Sequence, residues 1–238
     1  MPSMKPILRR ASDQRDSQGM NDFSKLHRPD TLWSGVAEQI QDLIASGTLV
    51  PGMKLTEAYL SKALGVSRVP VREALRHLLS TGLLVSEPYK GVRVRHFDHA
   101  HLAQLYAYRA GLERMAFNIL WPIKTVQMTD ELIRRQHALS DAIGRRDSEG
   151  AIIAELHLHG WCHEVSGNEF LLADWERIRP HLQCYFVLHQ RAHQRPGPSR
   201  EAHDRYVALA TGDSLPDMLA HIDEHMHQGM SKVLELVE

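Results

Sequence analysis

Gly65-Val66-Ser67-Arg68-Val69-Pro70-Val71-Arg72-Glu73-Ala74-Leu75 is the stretch that decides the fold of this chain. Ser67 is a good N-cap, and Pro70 falls in the first helical turn, where its missing N–H costs little. A short helix is therefore predicted, with Arg68 and Arg72 one turn apart on one face. Val71, Ala74, Leu75, Leu78 and Leu79 form the opposite, apolar stripe. Arginines at the N-terminal end of a helix packed down by its other side are placed as a recognition helix meets base edges and phosphates.

The flanks agree. Val36, Ile40, Leu43 and Ile44 recur at helical spacing from about Trp33 to Ser46, and Gly47-Thr48-Leu49-Val50-Pro51-Gly52 ends that helix with turn chemistry. Thr56 and Glu57 open a second helix carrying Leu60 and Leu64, and Gly65 turns into the recognition helix. Gly82 to Ser86 and Val92 to Arg95 read as two strands joined at Pro88-Tyr89-Lys90-Gly91, a wing. Lys90, Arg93 and Arg95 give it the positive charge that a phosphate backbone attracts.

From about Leu32 to Arg95 these residues resemble the GntR transcription regulators, whose DNA-binding domain runs from a first helix through Gly-x-Leu-x-Pro-Gly to Val-Ser-Arg-x-Pro-Val-Arg-Glu-Ala-Leu. Gly47, Leu49, Pro51, Gly52, Leu55, Glu57, Leu60, Leu64, Gly65, the recognition stretch, Gly82-Leu83 and Gly91 all fall in register. The family often carries an arginine after the glutamate of its second helix, where this chain has Ala58. The resemblance implies a winged helix-turn-helix over residues 30–96 that contacts double-stranded DNA through Ser67, Arg68, Pro70, Arg72, Lys90 and Gly91.

Length and charge predict more than one unit, since 238 residues exceed the usual size of a single compact domain. Residues 1–29 hold six Lys/Arg against three Asp/Glu, residues 30–96 eight against six, and residues 97–238 fourteen against twenty. Attraction to nucleic acid is thus confined to one end of a chain whose net charge is only −1. Residues 1–29, polar and aperiodic, are expected to be a disordered tail, with Met20 as an alternative start. No run has the apolar length of a transmembrane helix or signal peptide, so a cytoplasmic protein with no membrane partner is expected. Cys162 and Cys184 are expected to pack as small apolar residues rather than form a bridge.

Beyond Asp98 only helical patterns occur, over about His99 to Pro122, Thr129–Arg146, Ser148–Val165, Leu171 to the Pro196-Gly197-Pro198 break, Ser199–Thr211 and Leu215–Leu236. Six helices with short connections predict an antiparallel bundle over residues 97–238, and a mainly α protein overall. Glu155 and His159 are i and i+4 on its third helix, and His203 and His225 lie on its fifth and sixth. Spacing alone leaves the choice among 16 histidines open.

Glu155-Leu156-His157-Leu158-His159, running on to Ser166-Gly167-Asn168, is similar to the Asp-x-x-x-His…Ser-Gly-Asn motif of the FCD effector domain, found in the FadR subfamily of the GntR regulators. Glu201-Ala202-His203…Gly212-Asp213…His225 is similar to that domain's closing two-helix motif. The resemblance implies Glu155, His159, His203 and His225 as ligands, with Glu155 standing where the family usually has aspartate. Such a donor set suits zinc, nickel, cobalt, iron or manganese. His157, His163, His221 and His227 fall off the pattern and are expected to face solvent, pack, or support ligands.

Leu105-Tyr106-Ala107-Tyr108-Arg109-Ala110-Gly111-Leu112-Glu113 resembles the opening motif of the same domain, which in the family lines the effector pocket. Arg109 there would bind a carboxylate by its planar fork, or would only pair with Glu113 at i+4. The function implied is that of a homodimeric regulator, in this family more often a repressor, releasing a palindromic operator when a small carboxylate reaches the metal site. A regulator that senses the ion itself and a metal-dependent enzyme are the other two readings.

Overall fold

The structure, a computed structural model, describes residues 32–96, 98–193 and 197–234. The tail expected over residues 1–29 lies outside them. Three helices come first, α1 (Leu32–Ala45), α2 (Glu57–Leu64) and α3 (Arg68–Ser80). Thr56 caps α2 by accepting the Tyr59 N–H, and Gly65 closes it at φ 68°, donating its N–H to Ser61. That left-handed conformation is one glycine adopts without a Cβ penalty. It turns the chain so that the Pro70, Val71, Ala74, Leu75 and Leu78 face of α3 is buried, α1 being the helix it packs on most.

The wing is the hairpin of β2 (Leu84–Glu87) and β3 (Gly91–Val94), with Leu84 opposite Val94 and Glu87 opposite Gly91. A third strand, β1 (Lys54–Leu55), pairs with β3 on its other edge, giving the order β1-β3-β2. The sequence predicts only two strands, because two residues carry no readable alternation.

The remainder is the predicted antiparallel bundle of six helices: α4 (His99–Leu120), α5 (Val126–Gly144), α6 (Ser148–Val165), α7 (Glu169–His193), α8 (Arg200–Thr211) and α9 (Leu215–Leu234). Asp98 caps α4 through the His101 N–H, and Asn168 caps α7 through the N–H groups of Phe170 and Leu171. α5 begins three residues earlier than expected because Thr125 accepts the Met128 N–H. Leu102, Phe117, Leu132, Trp161, Trp175, Tyr206, Met218 and Ile222 fill the bundle core.

α7 belongs to both halves. Its Leu171, Trp175, Ile178, Leu182, Tyr185 and Phe186 lie in the bundle core, while Cys184 lies in the apolar cluster built by α1, α3 and the sheet. Val187 packs against both clusters, and the His181 ring bonds the Thr81 carbonyl at the end of α3 through Nε2, 2.8 Å away. Both cysteines are free and buried, as expected of small apolar residues.

Candidate functional site

The outward face of α3 carries Arg68, Val69, Arg72 and Arg76. Arg72 is held rather than loose: its Nε and Nη2 donate to the two carboxylate oxygens of Glu57 at 2.7 and 2.8 Å. This fork-on-fork pair ties the first residue of α2 to the recognition helix and fixes where the guanidinium points. Ser67 is exposed at the N-terminus of α3, whereas Pro70 is buried against the core. Pro70 therefore shapes the helix start and presents nothing to a base.

In the wing, Lys90 is exposed beside Glu87, 3.2 Å away. Arg93 turns inward and donates through Nη1 to the Gly52 carbonyl at 2.7 Å, and Arg95 donates through Nε to the Gly82 carbonyl. Both were expected to supply phosphate-binding charge; in the structure they tie the hairpin to the loops before β1 and β2.

Inside the bundle, α6, α8 and α9 bring His159, His203 and His225 together, all buried, with one ring nitrogen of each within 4.8 Å of the others. His159 Nε2 lies 3.3 Å from His203 Nε2 and 3.4 Å from His225 Nε2. Glu155 stands at the edge of this cluster, its Oε1 3.5 Å from His203 Nε2. The far nitrogens are occupied: His203 Nδ1 donates to the Ser199 carbonyl at 2.9 Å, and His159 Nδ1 lies 3.3 Å from Glu113 Oε1. With protons on those two Nδ1 atoms, the Nε2 atoms of His159 and His203 confront each other as lone pairs. Such an arrangement fits a cation between them, and the backing carbonyl and carboxylate are the supports that orient metal-binding imidazoles.

Charge favours the same state. Burial lowers the pKa of His159 to about 4 and that of His225 well below the ordinary value, so both rings are neutral donors at neutral pH. Burial works against the Glu155 carboxylate, but the neighbouring His203, His159 and Arg109 side chains outweigh this and lower its pKa. The same balance holds for Glu113, where the His159 ring and the Arg109 guanidinium overcome burial.

Arg109 and Glu113 are 2 % and 0 % exposed and are joined by a bond of 2.9 Å from Nε to Oε1. The pairing foreseen from the i,i+4 spacing is present, yet Arg109 Nη2 is buried without a hydrogen-bond partner. Arg109 also lines a cavity of about 80 Å³ together with Glu155, His203, His225, Tyr106 and Phe186. The guanidinium thus has one side on Glu113 and a further N–H group left unpartnered, in a residue that lines the cavity.

Residues 32–94 match the family described as bacterial regulatory proteins, gntR family, and residues 104–228 match the FCD domain. A Paenarthrobacter nicotinovorans protein named probable D-xylose utilization operon transcriptional repressor is 39% identical over 196 residues, 80% of this chain and 84% of that protein. The chain belongs to the GntR family. Its FCD domain places this GntR regulator in the FadR-type subfamily. The HTH-type transcriptional regulator YdhC of Bacillus subtilis (strain 168) is 34% identical over 101 residues, 42% of this chain, and the match spans only 45% of that protein. The solved structure of E. coli McbR/YncC shares the fold, with a TM-score of 0.73 at 23% identity over 86% of this chain and 98% of that one.

As a GntR member the protein is a DNA-binding transcriptional regulator, and its relatives are regulators rather than enzymes. The enzymatic reading of the bundle is set aside accordingly. Among the described residues no helix is long and apolar enough to cross a membrane.

Glu113 is the site residue that sequence reasoning undervalued. The spacing shows it only as a partner of Arg109, whereas it also backs His159 and accepts the Tyr206 hydroxyl at 2.8 Å. Of the off-pattern histidines, His157 and His227 are exposed, while His163 stacks on Trp175 with ring centroids 4.9 Å apart and His221 is buried beside His225.

Proposed function

We propose that this GntR regulator is a homodimeric repressor whose operator affinity is set by a small carboxylate bound in the bundle cavity. In this reading the chain divides near residue 97 into a DNA-binding unit and an effector unit. Ser67, Arg68, Arg72, Lys90 and the Gly91 turn form the DNA face. Paired winged helices of a two-fold dimer would read a palindromic operator, the geometry such motifs use on DNA. A regulator of chromosomal operators works in the cytoplasm. The name of the 39% identical relative supports repression as the sign.

The observation that carries the reading is the meeting of three buried imidazoles, His159, His203 and His225, beside a cavity that His203, His225, Glu155 and Arg109 line, Arg109 with its Nη2 unpartnered. His159, His203, His225 and Glu155 are the residues that would hold a divalent transition metal, which FCD domains bind in some members. Zinc, nickel, cobalt, iron and manganese all suit such donors. When bound, the ion would supply a positive centre for an effector oxygen. Arg109 offers the second point of attachment, since a guanidinium binds carboxylate oxygens in its plane. A cavity of about 80 Å³ admits a few water molecules or one small organic acid.

α7 supplies the connection to DNA. Phe186 and Gln190 line the cavity, while Cys184 and His181 on the same helix engage the winged helix. An effector that binds one arrangement of α7 better than another shifts the spacing of the two recognition helices; one that binds both equally shifts nothing.

Metal analysis of the purified protein beside a Glu155→Ala/His159→Ala variant tests the ligand set. Stoichiometric metal in the wild type and its loss in the variant support it. Operator release by small carboxylates, assayed with and without the metal, then tests the effector. Release by the metal salt alone would replace the carboxylate with the ion as signal.

A further inference from the structure

Val69 is the one apolar side chain on the outward face of α3, between Arg68 and Arg72, and it is 66% exposed. It belongs to neither apolar cluster, although Val66 and Val71 on either side of it pack into the DNA-binding core. The burial of Pro70, Val71, Ala74, Leu75 and Leu78 fixes the roll of the helix, so Val69 points away from the domain with the arginines. It is the second residue of the helix, in the turn that reaches base edges when such a helix enters the major groove.

The only apolar feature that the major groove displays is the C5-methyl group of thymine. Arginines at the same turn address guanine and phosphate, and a guanidinium makes no apolar contact that would detect that methyl. We propose that Val69 reads a thymine methyl in each operator half-site, so that this exposed valine sets base preference at one position. The inference rests on the DNA-binding activity and, for one contact in each half-site, on the two-fold dimer proposed above; it is independent of the metal, the effector and the cavity.

Duplexes selected from a random-sequence pool by the full-length protein supply the probe. Each fixed thymine is replaced in turn by deoxyuracil, which keeps every hydrogen-bonding group and lacks only the methyl. Binding is measured for the wild type and for Val69→Ala, whose melting temperature should match the wild type because the side chain is exposed. At one thymine per half-site the wild type should lose about four-fold in affinity, the weight of one methyl taken from water. The Val69→Ala protein should bind the thymine and uracil duplexes equally there. The proposal is overturned if no thymine shows this behaviour, if Val69→Ala keeps the preference for thymine, or if the selected duplexes hold no fixed thymine.

Discussion

Glu113 Oε1 lies 3.3 Å from His159 Nδ1, with both side chains wholly buried, and the opposite nitrogen of that ring faces His203 and His225. The carboxylate therefore selects the tautomer whose Nε2 lone pair points into the cluster. Replacing it with Gln removes the charge and leaves one acceptor oxygen where two now serve His159, Arg109 and Tyr206. Glu113→Gln should weaken metal binding about ten- to a hundred-fold, the usual weight of a group that orients a metal-binding imidazole. Competition against a chelator measures it, under conditions where both proteins are folded. Unchanged affinity would mean that Glu113 serves only Arg109 and Tyr206.

Arg109 is the residue whose loss should separate sensing from folding. Arg109→Ala leaves Glu113 buried without its permanent counter-charge, and breaking a buried pair in this way costs about 3 kcal/mol or more. Arg109→Lys keeps a cation but not the planar fork, so it should fold better than the alanine variant while still failing to hold a carboxylate. Urea unfolding and calorimetric titration with the releasing acid read the two effects. A lysine variant that responds like the wild type would remove Arg109 from effector binding.

The recognition stretch was legible because its signals are local: a proline in the first turn, a glycine at φ 68° and an apolar stripe all lie within about four turns of chain, although Ser67 stands at the N-cap position without making the side-chain capping bond expected of it. The bundle was legible for the same reason, helix by helix. What spacing could not show is what side chains do across long separations. Glu113 and His159 are 46 residues apart, and Arg93 reaches a carbonyl 41 residues away. Arg93 and Arg95 looked like DNA-facing charges because sequence gives charge without direction. Cys184 was readable as a packed cysteine, but not as one that packs into the DNA-binding core from a bundle helix.

His181 couples the two halves to pH. Burial lowers its pKa from 6.5 to about 4, against the opposing effect of its bond to Thr81. Between those values the unfolded chain binds a proton that the folded chain refuses, so stability falls as pH falls from about 6.5 to about 4. One ring shifted this far contributes up to about 3 kcal/mol over the window. His181→Gln keeps a donor for the Thr81 carbonyl and cannot titrate, so its urea midpoint, measured with chelator present, should decline less steeply with acid than that of the wild type. Parallel curves would show that the ring is not held neutral at the junction.

Glu57 and Arg72 bear on operator recognition through position rather than net charge. The fork of Arg72 is fixed on Glu57 before DNA arrives, so removing either partner should lower affinity for the selected operator. The two variants diverge on random duplex. Arg72→Ala loses a cation at the DNA face, so random-sequence binding should weaken and the slope of log affinity against log salt should fall by about one if the contact is to phosphate. Glu57→Ala removes an anion from the same face, so random-sequence binding should hold or rise while operator binding drops. The ratio of operator to random affinity is therefore the decisive quantity. If Glu57→Ala leaves that ratio at the wild-type value, Arg72 finds its place on DNA without help from α2.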